Sequence, residues 1–172
     1  MSDKQRIVDY LRNGSIGEID LRWADLKGIY FWGADLSGAK LHSADISGAD
    51  LKGINLSNTI STALKGINAN LTGANLSAAD LTSSNLNGAR LLGAKLTYSD
   101  LDSVSFRDTN LALSDLTGAN LQDADLTNAD LRKANLTGAN LANCNLTGAN
   151  LTGTNLTDVN LTVADLTNAI VD

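Results

Sequence analysis

The chain has 172 residues, enough for one domain with a substantial core, and its composition is narrow: 43% apolar, 4% aromatic and no proline. The single cysteine, Cys144, excludes an internal disulfide, and no apolar run reaches the roughly 18 residues of a transmembrane helix. The net charge of −6 speaks against direct nucleic-acid binding. The N-terminus lacks the apolar core of a signal peptide, so we expect a cytoplasmic protein that does not bind membranes.

The first recognisable element is a short N-terminal helix, which we assign to residues 1–14. Ser2 and Gln5 have the spacing of a capping box, and Ile7 and Leu11 form an apolar i,i+4 pair. Repeat structures with open ends need a cap over the terminal core and strand edge. We therefore expect this helix to act as a lid.

A five-residue period follows the helix and continues to the end of the chain. Every fifth residue from Leu21 to Val171 is Leu, Ile, Phe or Val in 29 of 31 cases, and the exceptions are Ser61 and Gly66. With this residue as i, position i−2 is mostly Ala and i−1 is Asp or Asn in 23 of 31 cases. Positions i+1 and i+2 are small or polar.

This period fits neither an α-helix nor a plain strand. In a short extended piece, i−2 and i point to one face and i−1 to the other, so Ala and Leu lie inside and Asp or Asn faces water. The remaining two residues must turn the chain, and Gly tolerates the backbone of a tight turn. The pattern therefore predicts an all-β solenoid whose coils pair at about 4.8 Å.

The unit Ala34-Asp35-Leu36-Ser37-Gly38 and its many repetitions resemble the pentapeptide-repeat family. The resemblance extends from about Ile19 to Val171. It implies a right-handed quadrilateral β-helix with four pentads to a coil, which we assign to residues 15–172. Thirty-one pentads then give about eight coils and a rod of roughly 38 Å.

One segment, residues 59–68, interrupts the pattern. We expect Ile60, Leu64 and Ile67 to replace the usual inward residues there, and we predict a bulged or looped coil. Such a departure from local preference marks either a functional site or simple drift of the repeat.

Catalysis finds little support in the sequence. The only histidine, His42, lies at an outward i+1 position, and Cys144 lies at an inward i−2 position about five coils away, so the two cannot form a dyad. No phosphate-binding glycine loop and no cluster of metal ligands is present. We predict no catalytic residues, no metal site and no cofactor.

The outer surface offers two candidate binding regions, because residues 20 apart stack on one face if a coil has four pentads. The first, a mixed aromatic, apolar and basic strip, comprises Tyr30, Trp32, Arg90, Leu92, Arg132 and Lys133. The second, an acidic face, comprises Asp80, Asp100, Asp102 and Asp123. As an alternative for the strip, the rings of Tyr30 and Trp32 pack beneath the N-terminal helix. A third column, Ser and Thr at every twentieth position from 37 to 157, is interpreted as solvated hydroxyls.

These features predict a non-catalytic protein–protein interaction or scaffold module with an unidentified protein partner, present as a monomer or an end-to-end homodimer. The alternative is a DNA mimic that binds a type II topoisomerase such as gyrase, as the family resemblance implies. A duplex of 38 Å carries about 22 charges, whereas this chain has a net charge of −6. A third class, ice binding through the Thr column, is disfavoured by charges such as Lys95 in the neighbouring column.

Overall fold

The computed structural model describes residues 2–12 and 19–171. It contains one helix, α1 (Asp3–Arg12), within these residues. The rest of the described chain is built from isolated parallel bridges, each one residue long, and turns between them.

The bridges show how many pentads close a coil. Each joins residue n to residue n + 20 in parallel, from Asp20 and Lys40 at one end to Asn150 and Ile170 at the other. Coils are also tied by regular backbone hydrogen bonds: Leu21 N–H donates to Lys40 C=O at 2.8 Å, and Lys40 N–H donates to Ile19 C=O at 3.0 Å. A coil therefore has twenty residues and four sides, which confirms the predicted four-pentad solenoid.

The four sides are named by the inward residues that stack along them. Face 1 carries residues 21, 41 and so on to 161; face 2 carries 26 to 166; face 3 carries 31 to 171; and face 4 carries 36 to 156. Faces 1 and 3 lie on opposite sides of the rod, as do faces 2 and 4.

The interior is filled by the residues that the period places there. Leu at i and Ala at i−2 are buried through nearly the whole rod, and Phe106 and Cys144 occupy the same inward columns. Burial of so many apolar side chains, at about 25 cal/mol per Å², is the main stabilising contribution.

Every corner from residue 23 to residue 168 has a left-handed backbone at i+2. Twelve of these thirty residues are glycines, and eighteen carry side chains at φ between 53° and 60°. Asn, Asp and Ser tolerate this region, whereas bulky residues such as Trp23 and Val163 are unfavourable there.

The Asp or Asn at i−1 has a structural task beyond facing water. Its side-chain oxygen accepts a hydrogen bond from the backbone N–H of i+1, as in Asp35 with Ser37 (3.0 Å) and Asn145 with Thr147 (3.0 Å). This is an Asx turn, which starts the corner in 22 of the 31 pentads. The Asn amides also bond along the rod, for example Asn75 Nδ2 to Asn55 Oδ1 at 3.1 Å.

The predicted bulge at residues 59–68 is wrong. Ile60 bridges both Lys40 and Asp80, and Lys65 bridges both Asp45 and Asn85, so the coil keeps the regular register. Leu64 is buried as expected, but Ile60 and Ile67 point outward and are 47% and 40% exposed.

The interior adapts to the small residues of this coil without a change of backbone. Side chains from the coils on either side approach Gly66, since a Cβ there would lie 2.6 Å from Leu86 Cδ2 and 3.4 Å from Ile46 Cδ1. Buried hydroxyls bond to one another, with Ser61 Oγ donating to Thr59 Oγ1 at 2.9 Å. Because these buried hydroxyls are hydrogen-bonded, their burial lowers the stability of the fold only slightly.

Helix α1 forms the predicted lid at the start of the rod. Gln5 N–H donates to Ser2 Oγ at 3.2 Å, which is half of the expected capping box, and Ile7 is fully buried against the core. Lys4 Nζ donates to the Lys27 carbonyl at 2.8 Å, so the helix satisfies a backbone group at the open edge of the first coil. The assigned boundary between residues 14 and 15 lies outside the described residues.

Candidate interaction surfaces

The two aromatic residues of the strip, Tyr30 and Trp32, are exposed to solvent on face 3. Tyr30 is 76% exposed and Trp32 is 66% exposed. Lys52 Nζ lies 5.1 Å from the centre of the Trp32 ring, where a cation–π contact orients the indole. The alternative that these rings pack beneath the N-terminal helix is therefore wrong.

The six residues of the strip share one face but do not form one continuous patch. Arg90 and Leu92 lie three coils, or about 14 Å, from Tyr30 along the rod. Arg132 is held by its neighbour Asp130 at 2.6 Å, and this hydrogen bond lowers the pKa of Asp130. Among the described residues neither Arg90 nor Lys133 has an ion-pair partner, so both of these strip cations are available to a ligand.

The four predicted acidic residues lie together on face 1. Asp80 and Asp100 occupy stacked i−1 positions and start Asx turns, accepting from Thr82 N–H and Asp102 N–H at 3.1 and 3.2 Å. Asp102 accepts from Ser103 Oγ, and Asp123 accepts from Gln122 Nε2, both at 3.1 Å.

No Lys or Arg forms an ion pair with these four carboxylates in the part of the chain that the structure describes. Arg107, from a nearby pentad, is engaged on face 2 by a 3.0 Å ion pair with Asp125. Burial alone would raise the pKa of Asp125, but hydrogen bonds from Thr127 and Arg107 outweigh it and lower the pKa. The acidic face thus keeps its negative charge uncompensated.

A third candidate site, centred on the aromatic ring of Trp23, was missed by the sequence reasoning. Trp23 is 66% exposed at a face 1 corner, with the Arg22 guanidinium 5.3 Å from its ring centre. The His42 ring meets it edge to face at 5.9 Å, and His42 Nδ1 lies 2.5 Å from Thr62 Oγ1. A tryptophan at i+2, where the repeat favours glycine, was the signal that could have revealed it.

The Ser and Thr column of face 4 is not simply solvated, which corrects that interpretation. Thr117 Oγ1 donates to Asp115 Oδ1, and Thr137 Oγ1 donates to Asn135 Oδ1, both at 2.6 Å. Asn155 Nδ2 in turn donates to Thr137 Oγ1 at 2.9 Å. These hydroxyls therefore belong to a side-chain ladder that stabilises the rod.

Cys144 and His42 are too far apart to act together, as the sequence predicted. Cys144 is buried, its Sγ donates to the Leu121 carbonyl, and burial raises its pKa to about 12. His42 lies on face 1 in the second coil, about five coils away. Over residues 2–12 and 19–171, no group of three His, Cys, Asp or Glu is arranged to hold a metal ion.

None of the helical structure described is long and apolar enough to cross a membrane.

Comparisons with solved structures show where this architecture occurs. Rfr23, a pentapeptide repeat protein from the cyanobacterium Cyanothece 51142, is 43% identical over 54% of this chain and 64% of its own, with a TM-score of 0.53. This chain thus spans just under two thirds of Rfr23. QnrB1, a plasmid-mediated fluoroquinolone resistance protein, gives a TM-score of 0.80 at 20% identity over 88% of this chain and 81% of QnrB1.

A pentapeptide repeat protein from the Arabidopsis thaliana thylakoid lumen is 27% identical over 69% of each chain, with a TM-score of 0.51. At 20% identity the QnrB1 likeness shows the fold alone. A comparison with curated proteins gives no match.

The bridges, the filled interior and the outward polar columns define a four-sided β-helical repeat protein. The profile for pentapeptide repeats matches eight copies, at residues 19–58, 67–97, 74–111, 94–132 and 134–171. The chain belongs to the pentapeptide repeat family. Members form right-handed quadrilateral β-helices and are generally structural or interaction modules.

Proposed function

We propose that this chain is a non-catalytic protein–protein interaction or scaffold module whose main contact is the strip on face 3. The observation that carries the proposal is the exposure of Tyr30 and Trp32, which occupy positions that the repeat usually gives to Asp and to Ser or Thr. Aromatic residues and Arg are enriched in binding interfaces, where a few of them contribute most of the affinity.

The rigid support of these side chains favours binding. Their backbone is held to the second coil by hydrogen bonds, such as Phe31 N–H to Asp50 C=O at 3.1 Å and Gly33 N–H to Lys52 C=O at 2.9 Å. The main chain therefore loses little conformational entropy when a partner binds. Each ring that a partner covers contributes about 2 kcal/mol through burial of its apolar surface.

The test compares three forms of the protein as baits in extracts of the source cell. We expect Trp32→Ala with Tyr30→Ala to lose a quantified partner that the wild type retains. Tyr98→Ala, which removes an equally exposed ring from a corner of face 4, should retain it. Circular dichroism melts would show that all three forms are folded. An unchanged partner profile in the double variant would refute the assignment of this surface.

A second candidate is the DNA mimic that binds a type II topoisomerase such as gyrase. The uncompensated carboxylates of face 1 favour it, and residues 99–130 hold seven Asp and one Arg. The total charge of −6 remains far below the roughly 22 of a duplex of this length. A supercoiling assay decides: inhibition that disappears in Asp100→Lys with Asp102→Lys would favour the mimic, and no inhibition at micromolar protein would eliminate it.

We further propose a cytoplasmic location, which a fluorescent fusion would test. We propose no direct binding to nucleic acid or membranes. For the oligomeric state, monomer and end-to-end homodimer both stay predictions, and sedimentation velocity over a range of concentrations distinguishes them.

A further inference from the structure

Face 3 differs from the other three faces in the sign of its charge. Its pentads between residues 29 and 153 hold four cations and two carboxylates, a net charge of +2. Face 1 holds two cations and five carboxylates, face 2 holds three and five, and face 4 holds one and three. A chain with a total charge of −6 therefore concentrates positive charge on the face that carries the strip.

Both carboxylates of these face 3 pentads are paired with a cation of their own pentad. Lys52 Nζ lies 3.4 Å from Asp50 Oδ2. Arg132 holds Asp130 through two hydrogen bonds, Nε to Oδ1 at 2.8 Å and an Nη2 bond to Oδ2 at 2.6 Å. The net charge of face 3 therefore resides on its two remaining cations.

These cations are Arg90 and Lys133, which are both exposed and have no ion-pair partner within residues 2–12 and 19–171. Arg90 is bridged to Asn70 in the preceding coil and to Asn110 in the following one, and both neighbours are neutral. The residues twenty positions before and after Lys133 are a leucine and a glycine. No carboxylate is therefore stacked directly above or below either cation.

Two exposed leucines accompany the cations. Leu92 is 38% exposed and Leu113 is 59% exposed. They come from adjacent coils that are joined directly, since Gly93 N–H donates to Ala112 C=O at 2.9 Å. The leucines and the cations together span two coil spacings, or about 10 Å, along the rod. We call this set the mid-rod patch, and it comprises Arg90, Leu92, Leu113 and Lys133.

The fold does not account for these side chains. Leu113 has a left-handed backbone, with φ of 60°, where a bulky residue is unfavourable, and five of the other six corners of this face are glycines. Arg90 occupies a position that starts an Asx turn one coil later, where Asn110 accepts from Ala112 N–H at 3.0 Å. A guanidinium cannot accept that bond. Both residues thus replace a better choice for stability.

We propose that the mid-rod patch docks an acidic protein segment, whose apolar side chains cover Leu92 and Leu113 and whose carboxylates lie beside Arg90 and Lys133. This inference rests on the proposed function of face 3 and names the chemistry of its partner. An unpaired guanidinium offers a carboxylate charge-assisted hydrogen bonds, and covering the leucines removes apolar surface from water. The three negatively charged faces repel the same segment, so charge selects the side of the rod on which it docks.

The test measures the fluorescence anisotropy of labelled probes titrated with the full chain. One peptide alternates Leu and Asp, a second has Lys in place of Asp, a third has Ser in place of Leu, and the fourth probe is duplex DNA. We expect the Leu–Asp peptide to bind at least about tenfold more tightly than any other probe. Raising the salt concentration from about 0.05 M to about 0.5 M should weaken its binding, because salt screens the ion pairs.

A matched pair of variants locates the site. Arg90→Asn with Lys133→Asn should weaken binding of the Leu–Asp peptide about tenfold or more, as loss of a hot spot does. Lys65→Asn with Lys95→Asn makes the same change in total charge on faces 2 and 4 and should bind the peptide like the wild type.

Thermal melts separate binding from folding. Arg90→Asn should melt at the same or a higher temperature than the wild type, because Asn supplies the acceptor of the Asx turn. Leu113→Asn should do the same, because Asn tolerates a left-handed backbone, and it should also weaken peptide binding. A lower melting temperature for either variant would assign that residue to the fold and contradict the proposal.

Four other results would overturn the proposal: no binding of any peptide, equal binding of the Asp and Lys peptides, equal binding of DNA and the Leu–Asp peptide, or wild-type binding by the Arg90→Asn, Lys133→Asn protein. The proposed function fails separately, because the extract experiment asks whether the rings of Tyr30 and Trp32 hold a partner. Loss of that partner in the ring variant, together with no peptide binding, would keep the proposed function and overturn only this inference.

Discussion

Asparagines at i−1 form Asx turns, and some of them also form side-chain hydrogen bonds with Thr and Asn, which we call the Asn ladder. Replacing single asparagines tests whether the ladder or only the Asx turn stabilises the rod. Asn135 lies in the ladder: it accepts from Thr137 N–H at 3.2 Å and Thr137 Oγ1 at 2.6 Å, and donates to Thr117 Oγ1 at 2.9 Å. Asn150, on face 3, has equivalent backbone geometry but accepts only from Thr152 N–H, at 3.0 Å, within the described structure.

The number of hydrogen bonds that each substitution removes sets the expected loss in the free energy of unfolding. Asn150→Ala removes one bond of the Asx turn and should cost about 1 kcal/mol. Asn135→Ala removes that turn bond and two well-formed ladder bonds, which at this partly exposed site should cost about 2–3 kcal/mol in total. For a chain of this size the melting temperature should fall by about 3 °C and about 8 °C, respectively.

Urea denaturation followed by circular dichroism measures both free energies of unfolding. The slope with urea must be the same for wild type and variants, since repeat proteins can lose cooperativity and the comparison then fails. Equal losses for the two variants would show that the ladder adds nothing to the turn. No loss in either would refute the assignment of a stabilising role to the Asp or Asn at i−1.

Three further predictions concern the core, the carboxylates and the thiol. Gly66→Ala should lower stability by about 1–3 kcal/mol, because the new Cβ would lie 2.6 Å from buried Leu86 Cδ2; an unchanged urea midpoint would contradict this. The hydrogen bond from Ser37 N–H lowers the pKa of Asp35, so its ionised form stabilises the fold above about pH 4 and that stability is lost as the pH falls through the lowered value. Asp35→Asn keeps the turn without titrating, so its melting temperature should fall less than that of the wild type between about pH 5 and pH 2; parallel curves would refute the linkage. Cys144 should not react with Ellman's reagent until the protein unfolds, because the thiol is buried and its pKa is raised to about 12; rapid reaction in native buffer would contradict its placement.

The fold followed from the sequence because one physical constraint recurs in every pentad. A narrow tube needs a large apolar residue at i and a small one at i−2, and this requirement leaves a five-residue signature such as Ala34 to Gly38. The lid was visible for a separate reason, since Ser2 and Ile7 occupy a capping and a buried position of a short helix.

The regular backbone of residues 59–68, which form half of a coil, could not be predicted from the period alone. Two missing large residues, Ser61 and Gly66, suggested a change of backbone. The backbone bonds between coils do not depend on side chains, however, and Leu86 from the next coil reaches the space beside Gly66. The register is therefore more robust than the side-chain pattern that reveals it.

The period allows outward residues to be assigned to faces, whereas the role of both predicted surfaces in binding stays a prediction. Column stacking correctly placed Asp80 and Asp100 on one face. It could not show that Arg132 is held by Asp130, or that Trp23 contacts His42, because these contacts depend on side-chain conformations rather than on the period.

The twenty-residue coil also governs how insertions and deletions act on this molecule. Adding or removing twenty residues at a corner lengthens or shortens the rod by one layer and leaves every outward side chain on its original face. A change of five residues preserves the inward pattern equally well but turns everything downstream by a quarter of a revolution. A pentad inserted after residue 98 would move Asp100, Asp102 and Asp123 from face 1 to face 2, away from Ile60 and His42, which would stay on face 1. The number of pentads between two segments therefore determines whether their outward side chains lie on the same face of the rod.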